Sequence, residues 1–234
     1  MPICHFCDLG IIDYQPAWDL QHKLAAEIAR GERPATLLLL EHPHTYTFGR
    51  RGKAENLLWD EKKLAENGVA VHWVDRGGDV TYHGPGQLVG YPLMRLEGTD
   101  HVGYVRNLEK VLIAALARLG LASGQITGKT GVWVQADIAS RCPRCKPENR
   151  RKPAKIAAIG VKVDANGVTR HGFALNVNPQ MDYFEGIIPC GIADHPVISL
   201  ADIFATPPEM ESVKGEVLRA FGEVFGVEIR LISI

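Results

Sequence analysis

The sequence lacks the features that mark membrane, secreted and nucleic-acid-wrapping proteins. Its longest purely aliphatic stretch, residues 37–40, is far too short to span a bilayer. The first basic residue is Lys23, so no charged segment with an apolar core precedes it and no secretory signal is visible. The 26 basic and 27 acidic residues leave a net charge of −1, which gives no global reason to bind nucleic acid or an anionic membrane. We therefore expect a cytoplasmic protein that binds neither.

The chain also lacks internal repeats, low-complexity segments and a Pro/Gly/Ser linker. With 234 residues, 46% apolar and 23% charged, it has the composition of a soluble globular protein with one sizeable core. We expect a single domain over 1–234. A polar, basic and proline-containing stretch at about 138–154 is predicted to be an inserted loop.

Hydrophobic periodicity predicts strands that alternate with helices. The predicted strands cover residues 3–9, 36–41, 69–74, 87–93, 131–136, 155–163, 172–177 and 227–231. The predicted helices begin at Asp13 and near residue 61, and cover 101–119 and 212–225. Some strands are joined by helices and others by a hairpin at 164–167, which predicts an α/β (α+β) fold with a mixed sheet flanked by helices.

Cysteine is scarce and odd in number, which disfavours a full set of disulfides and leaves metal binding or a reactive thiol. Four of the five form two Cys-x-x-Cys pairs, Cys4 with Cys7 and Cys142 with Cys145. That spacing is typical of zinc ligands, so structural zinc at Cys142 and Cys145 is possible, with Cys4 and Cys7 as further ligands. Residues 4 and 7 face opposite sides of a strand, however, and a redox disulfide or plain thiols are the alternatives. Cys190 is left over.

The densest run of special residues lies between Arg76 and Gln87 and reads RGGDVTYHGPGQ. Its glycines allow sharp turns and close approach of the backbone to a ligand, while Arg76 adds a fixed cation and His83 a titratable group. A tight strand connection capped by the arginine is the plain alternative. The glycine spacing fits neither the dinucleotide fingerprint nor the P-loop, so it does not indicate nucleotide use.

This run closely resembles the signature of the lipoyl(octanoyl) transferases of lipoate biosynthesis. That family has Arg-Gly-Gly, then Thr-aromatic-His, then a glutamine that leads into a strand with a tyrosine. The matching residues begin at Arg76 and Thr81 and end at Gln87 and Tyr91.

Two further motifs resemble the same family. KIAAIG at 155–160 matches the strand that carries the family's catalytic lysine, and Pro-Cys-Gly at 189–191 matches the turn that carries its nucleophilic cysteine. Between them stands HGFALNVN at 171–178, as the family has. The similarity extends from about residue 8 to 200, and only the insertion departs from it.

The resemblance implies an acyltransferase that needs no cofactor for catalysis. Cys190 would take octanoyl from octanoyl-acyl carrier protein as a thioester, and a specific lysine of a lipoyl domain or of the glycine-cleavage H protein would receive it. The Lys155 ammonium would favour the Cys190 thiolate and move the proton. His83 would assist proton movement or orient the thioester.

The resemblance also implies the substrate contacts and the fold. The expected contacts are Arg76, Gly77, Gly78, Asp79, Val80, Thr81, Tyr82, His83, Ala158, Ile159, Gly160, Gly172, Phe173 and Ala174. The expected architecture is that of the catalytic domain of biotin and lipoate protein ligases.

Several alternatives stay open. Residues 141–155 carry seven basic side chains against one glutamate, so this loop is a candidate docking surface for acidic carrier proteins, or merely solvated. An ATP-dependent lipoate or biotin ligase, and an amidotransferase that moves octanoyl between lipoyl domains, share the expected fold. A zinc-knuckle module that binds nucleic acid through this loop is the alternative from another class.

Overall fold

The computed structural model describes residues 1–145, 147–189 and 195–233. In these ranges the strands are β1 Ile3–Ile11, β2 Ala35–Glu41, β3 Thr45–Phe48, β4 Ala70–Trp73, β5 Val80–His83, β6 Gln87–Leu93, β7 Gly124–Ile126, β8 Lys129–Val134, β9 Ala154–Val163, β10 Thr169–Asn176 and β11 Glu228–Leu231. The α-helices are α1 Tyr14–Ala29, α2 Glu61–Glu66, α3 His101–Arg118, α4 Ala136–Ala139 and α5 Met210–Phe225.

Eight of these strands form one large mixed sheet in the order β11-β1-β2-β6-β10-β9-β8-β7. β1 is parallel to both β11 and β2, and the remaining neighbours from β2 to β7 are antiparallel. A smaller sheet has the order β4-β3-β5, with β3 parallel to β4 and antiparallel to β5. The predicted mixed sheet flanked by helices is confirmed.

Helices cover both faces of the large sheet. α3 and α5 pack on one face through Leu108, Leu112 and Phe221, which are almost fully buried together with strand residues of β2 and β9. α1 packs on the other face through Leu24 and Ile28. Because successive strand residues point to opposite faces, the consecutive leucines of β2 serve both cores.

Local capping explains where the helices begin and end. The Asp60 side chain accepts a hydrogen bond from the Lys63 N–H at the start of α2, and Asp100 accepts one from the Gly103 N–H at the start of α3. Gly226 ends α5 with a φ of 63°, a left-handed conformation that glycine adopts without steric cost. α1 begins directly after Asp13, and α2 covers the predicted residues near 61.

The predicted inserted loop is more ordered in its contacts than its composition suggests. The Arg150 guanidinium donates to the carbonyl oxygens of Cys145 and Pro143 at 2.9 and 3.0 Å, and Arg144 forms two hydrogen bonds to Asp202 at 2.5 and 2.8 Å. Cys142 and Cys145 are buried in the core beneath. Arg144 and Arg150, two basic residues of the candidate docking surface, therefore already form hydrogen bonds within the protein.

Within the described ranges, the helices are all too short or too polar to cross a bilayer.

Candidate active site

Two adjoining cavities bring most of the predicted site residues together. The lysine cavity, a cleft of about 440 Å³ when the space open to solvent is included, is lined by Thr81, Gln87, Trp133, Lys155, Ala158, Ala174, Asn176, Phe184, Pro189, His195 and Val197. The glycine cavity, a cleft of about 460 Å³ on the same measure, is lined by Tyr14, Arg76, Gly77, Gly78, Thr81, His83, Tyr91, Ala158, Ile159, Gly160, His171, Gly172, Phe173 and Ala174. The two cavities share Thr81, Ala158 and Ala174, so they form one continuous candidate site.

The register of β9 and β10 explains how two distant motifs meet. Gly160 pairs with Gly172, Ile159 with Phe173, and Ala158 with Ala174 across the antiparallel ladder. Each predicted contact on one strand therefore lies directly opposite a predicted contact on the other. A side chain in place of Gly90 on β6 would overlap the Phe173 ring, so the bare glycine backbone makes room for that ring.

The Arg76 side chain holds the glycine loop against the small sheet. Its Nη2 atom donates to the Thr47 carbonyl at 2.5 Å and to the Thr47 hydroxyl at 2.9 Å, and its Nη1 atom donates to the Gly77 carbonyl at 3.0 Å. The backbone of Gly77 in turn donates to the Val161 carbonyl on β9 at 2.9 Å. The loop thus forms a wall of the glycine cavity, and a Cβ atom at Gly160 would lie only 2.9 Å from the Gly77 carbonyl oxygen.

The short strand β5 divides the predicted contacts between two faces. Thr81 and His83 line the cavities, whereas Val80 and Tyr82 are buried in the separate apolar core of the small sheet. Val80 and Tyr82 therefore line neither cavity.

The Asp79 carboxylate accepts hydrogen bonds from the loop that precedes α2. Its Oδ1 atom accepts from the N–H groups of Val80 and Lys53, at 2.7 and 3.2 Å, and its Oδ2 atom accepts from the Asn56 amide. Asp79 lines neither cavity and stabilises this loop.

His83 is a buried neutral imidazole with a defined tautomer. The Gln87 amide donates through Nε2 to the Tyr82 carbonyl and to Asn176, so Gln87 Oε1 is the acceptor that faces His83 Nδ1 at 2.8 Å. Nδ1 therefore carries the proton and Nε2 is an acceptor, with the Thr47 hydroxyl 3.4 Å away. Burial, together with nearby His42, Arg76 and His171, holds the pKa of His83 well below its usual range.

Lys155 lies at the start of β9, next to a break in the strand register. β8 pairs Trp133 with Lys155 and Val132 with Ala157, so β9 has an extra residue between these pairs. The Lys155 ammonium lies 4.8 Å from the centroid of the buried Trp133 ring, a cation–π contact. Lys155 backbone groups also bind Pro196 and Ile198, which hold residues 196–198 beside the lysine.

Cys190 lies outside the described residues, but the nearest described residues before and after it line the lysine cavity. Pro189 and His195 line this cavity together with Lys155. His195 Nδ1 donates to the Pro153 carbonyl at 3.0 Å, so its Nε2 atom is the acceptor for the Lys129 ammonium. The Lys129 ammonium lies 5.9 Å from the same Trp133 ring.

The sequence did not predict that His171, with Tyr14 beside it, lines the glycine cavity. The His171 Nε2–H donates to Asp75 at 2.8 Å, Nδ1 lies 3.4 Å from the Tyr14 hydroxyl, and the backbone N–H donates to Gln21 at 2.7 Å. His171 has a φ of 57°, an uncommon value for a non-glycine residue. Burial lowers the pKa of His171 despite the carboxylate beside it, so the imidazole is neutral near pH 7.

Only Cys4 of the first Cys-x-x-Cys pair lies in the core that holds Cys142 and Cys145, whereas Cys7 lies in the other core. Cys4 and Cys7 face opposite sides of β1 because they are three positions apart on a strand. Cys142 Sγ accepts the Cys145 N–H at 3.2 Å, and burial raises the pKa of the Cys145 thiol to about 12. The described ranges contain no group of three or more metal-ligating side chains. Zinc at Cys142 and Cys145 remains a prediction.

Comparison with known proteins places this site in a family. Residues 13–222 match the lipoyl protein ligase A/B catalytic domain, so the chain belongs to that family. The octanoyltransferase of Chloroflexus aurantiacus is 47% identical over 225 residues, which cover 95% of this chain and 94% of that protein. The predicted resemblance to octanoyltransferases is thereby confirmed.

Solved structures share the fold at much lower sequence identity. A putative lipoate protein ligase from Thermoplasma acidophilum has a TM-score of 0.74 at 18% identity, covering 99% of this chain and 89% of that one. A lipoate-protein ligase A bound with ATP has a TM-score of 0.73 at 16% identity, covering 99% and 90%. The expected ligase-like architecture is confirmed, and these structures support the fold alone.

Proposed function

We propose that the protein transfers octanoyl from octanoyl-acyl carrier protein to a specific lysine of a lipoyl domain or of the glycine-cleavage H protein, with Cys190 as the nucleophile. The octanoyltransferase relatives support octanoyl transfer in lipoylation. A structure of an archaeal lipoate ligase described together with its E2 lipoyl domain supports a lipoyl-domain acceptor. With an acyl carrier protein as donor, we expect the reaction in the cytoplasm.

One observation carries the proposal: Lys155 lines a cavity together with the residue that directly precedes Cys190. Consecutive Cα atoms lie 3.8 Å apart across a trans peptide bond, so chain connectivity keeps residue 190 close to Pro189. A nearby ammonium favours the thiolate form of a cysteine, which is the nucleophilic form.

The first half-reaction forms the enzyme thioester. The Cys190 thiolate attacks the octanoyl thioester carbon, and the bond from that carbon to the carrier sulfur breaks. The Lys155 ammonium donates its proton to the departing thiolate, so the carrier leaves as a thiol and Lys155 becomes a neutral amine.

The second half-reaction restores the resting enzyme. The neutral amine of the acceptor lysine attacks the Cys190 thioester, and the carbon–sulfur bond to Cys190 breaks. The amine proton moves to Lys155, which regenerates the ammonium and thiolate pair. The products are an octanoyl amide and the carrier thiol, and no nucleotide is consumed.

His83 serves this reaction as a neutral group. Its low pKa excludes a role as a fixed cation near pH 7, and the Gln87 amide fixes its tautomer. Nε2 can accept a hydrogen bond at the glycine cavity, which suits the orientation of a thioester or of an ordered water. We therefore propose that His83 orients the substrate.

A transfer assay with three donors tests the proposal against its alternatives. We expect the enzyme to acylate a lipoyl domain from octanoyl-acyl carrier protein without ATP. Activity from octanoate only when ATP is present would instead establish a ligase. Activity from an octanoylated H protein, but none from the carrier protein, would establish an amidotransferase.

The matched pair Lys155→Ala and Lys162→Ala tests the role of the lysine. Both lysines lie on β9 and are partly exposed, but only Lys155 lines the lysine cavity. We expect Lys155→Ala to lower kcat by roughly 10²–10⁴-fold, the usual range for a positioned acid or base, and Lys162→Ala to leave it unchanged. Equal activity of the two variants would exclude Lys155 from the chemistry.

A further inference from the structure

A wide groove adjoins both cavities of the candidate site. It shares Lys155 and Ala158 with the lysine cavity, and Gly77, Gly78 and Gly160 with the glycine cavity. Its volume of about 1,160 Å³ exceeds that of either cavity, and it is open to solvent. A long substrate arm can therefore approach Lys155 along it.

The groove is positively charged. Arg51, Lys129 and Lys155 line it against one acidic residue, Asp79, whose carboxylate already accepts hydrogen bonds from Val80, Lys53 and Asn56. Arg51 lines the groove and is exposed. Among the described residues, its side chain takes part in none of the ion pairs or side-chain hydrogen bonds. An anion in the groove would therefore meet an arginine that is not already neutralised.

Arg51 lies near the Gly160 end of β9, whereas Lys155 lies at the start of that strand. The Arg51 backbone N–H donates to the Gly78 carbonyl at 3.0 Å, and Gly77 and Gly78 lie over the Gly160 end of β9. Gly160 is five residues beyond Lys155 on the same strand, a backbone separation of at most about 17 Å at the usual rise per residue and somewhat less across the bulge after Lys155. Lys129 lies on the same side of the groove as Lys155, because both ammonium groups lie close to the Trp133 ring, 5.9 and 4.8 Å from its centroid.

We propose that Arg51 binds the phosphodiester group of the pantetheine arm that presents the octanoyl thioester, an inference that rests on the proposed function. Thirteen bonds join the sulfur and the phosphorus of this arm, which corresponds to about 15 Å when extended, given about three backbone bonds per residue. A thioester at Lys155 would then place the phosphate near Arg51. A guanidinium matches the planar, two-point geometry that phosphate oxygens favour.

Two small donors that differ only in the phosphate test this assignment. We would measure kcat/KM with octanoyl-4′-phosphopantetheine and octanoyl-pantetheine for the wild-type protein, Arg51→Gln and Arg50→Gln. Arg50 is the matched control, since it is exposed and adjacent but does not line the groove. We expect the wild type and Arg50→Gln to prefer the phosphorylated donor by about tenfold, and Arg51→Gln to lose that preference.

The assignment is overturned if the wild type shows no preference, or if Arg51→Gln retains it. A loss of activity with intact octanoyl-acyl carrier protein, combined with an unchanged preference between the small donors, would show that Arg51 binds an acidic side chain of the carrier instead. Competition supplies a second readout: 4′-phosphopantetheine should inhibit transfer from the carrier protein more strongly than pantetheine does. Failure of the wild type with the carrier protein itself would instead refute the proposed function.

Discussion

Gly160→Ala is the substitution whose consequence follows most directly from the geometry of the site. The new Cβ atom would lie 2.9 Å from the Gly77 carbonyl oxygen and 3.2 Å from Arg76 Cδ. Neither neighbour can move easily, because the Gly77 N–H is bonded to Val161 and the Arg76 guanidinium is bonded to Thr47. The glycine loop must therefore shift away from β9.

We expect Gly160→Ala to lower both the stability and the activity of the protein. Overpacking costs about 1–3 kcal/mol, and a Cβ atom 2.9 Å from a backbone oxygen is closer than a Cβ contact allows, so we expect about 2 kcal/mol. In a chain of this size that lowers Tm by about 4–8 °C. Displacement of the cavity wall should reduce kcat/KM for the octanoyl donor by roughly tenfold, since 1.4 kcal/mol of lost transition-state binding has that effect.

Transfer kinetics and a thermal unfolding curve, each recorded alongside Gly215→Ala, provide the test. A Cβ atom at Gly215 meets nothing within 4 Å, and alanine is the better helix former in α5. The control should therefore keep full activity and an equal or higher Tm. The reasoning is refuted if Gly160→Ala matches the wild type in both measurements.

Three further predictions concern charge and metal. The hydrogen bond from His171 holds the pKa of Asp75 well below its usual range, so the carboxylate contributes stability above about pH 4 that is lost as the pH falls further. The stability difference between wild type and Asp75→Asn, measured from urea midpoints, should thus shrink between pH 7 and pH 3, and a constant difference would contradict this. Arg144→Ala removes the cationic partner of the buried Asp202 carboxylate, which keeps only the Ser199 N–H and hydroxyl as donors, and should cost about 1–3 kcal/mol. The exposed Arg141→Ala should cost almost nothing. Equal unfolding midpoints for these two variants would refute the packed-loop interpretation. Treatment with EDTA should leave the transfer rate of the folded protein unchanged, because no proposed step uses a metal; a loss of rate that zinc restores, at an unchanged unfolding midpoint, would contradict the mechanism.

Much of the fold could be predicted because its longer elements have clear periodicity. The apolar positions of α3 recur on one side over eighteen residues, and β6 was predicted with the bounds that the structure shows. Among the strands of three or four residues, β3, β5 and β7 were not predicted, and β5 stands between glycine-rich segments. Short strands such as β3 and β5 form through pairing with distant partners, which a linear pattern does not contain.

Some residues of the candidate site could likewise be predicted from the sequence, and others could not. Motif resemblance identified Lys155, and β5, once known to be a strand, explains why Thr81 reaches the cavities while Val80 does not. Trp133 and His195 had no signal in the sequence, because their positions depend on the register of β8 against β9 and on the path of the chain after residue 194. Tertiary pairing decides such contacts.

Intact mass spectrometry after mixing the protein with octanoyl-acyl carrier protein tests the central claim most directly. The account predicts a single octanoyl adduct on the wild-type protein and on Cys142→Ala, which alters a thiol that lines neither cavity. It predicts no adduct on Cys190→Ala. An adduct that persists on Cys190→Ala, or undiminished transfer by that variant, would contradict the thioester mechanism.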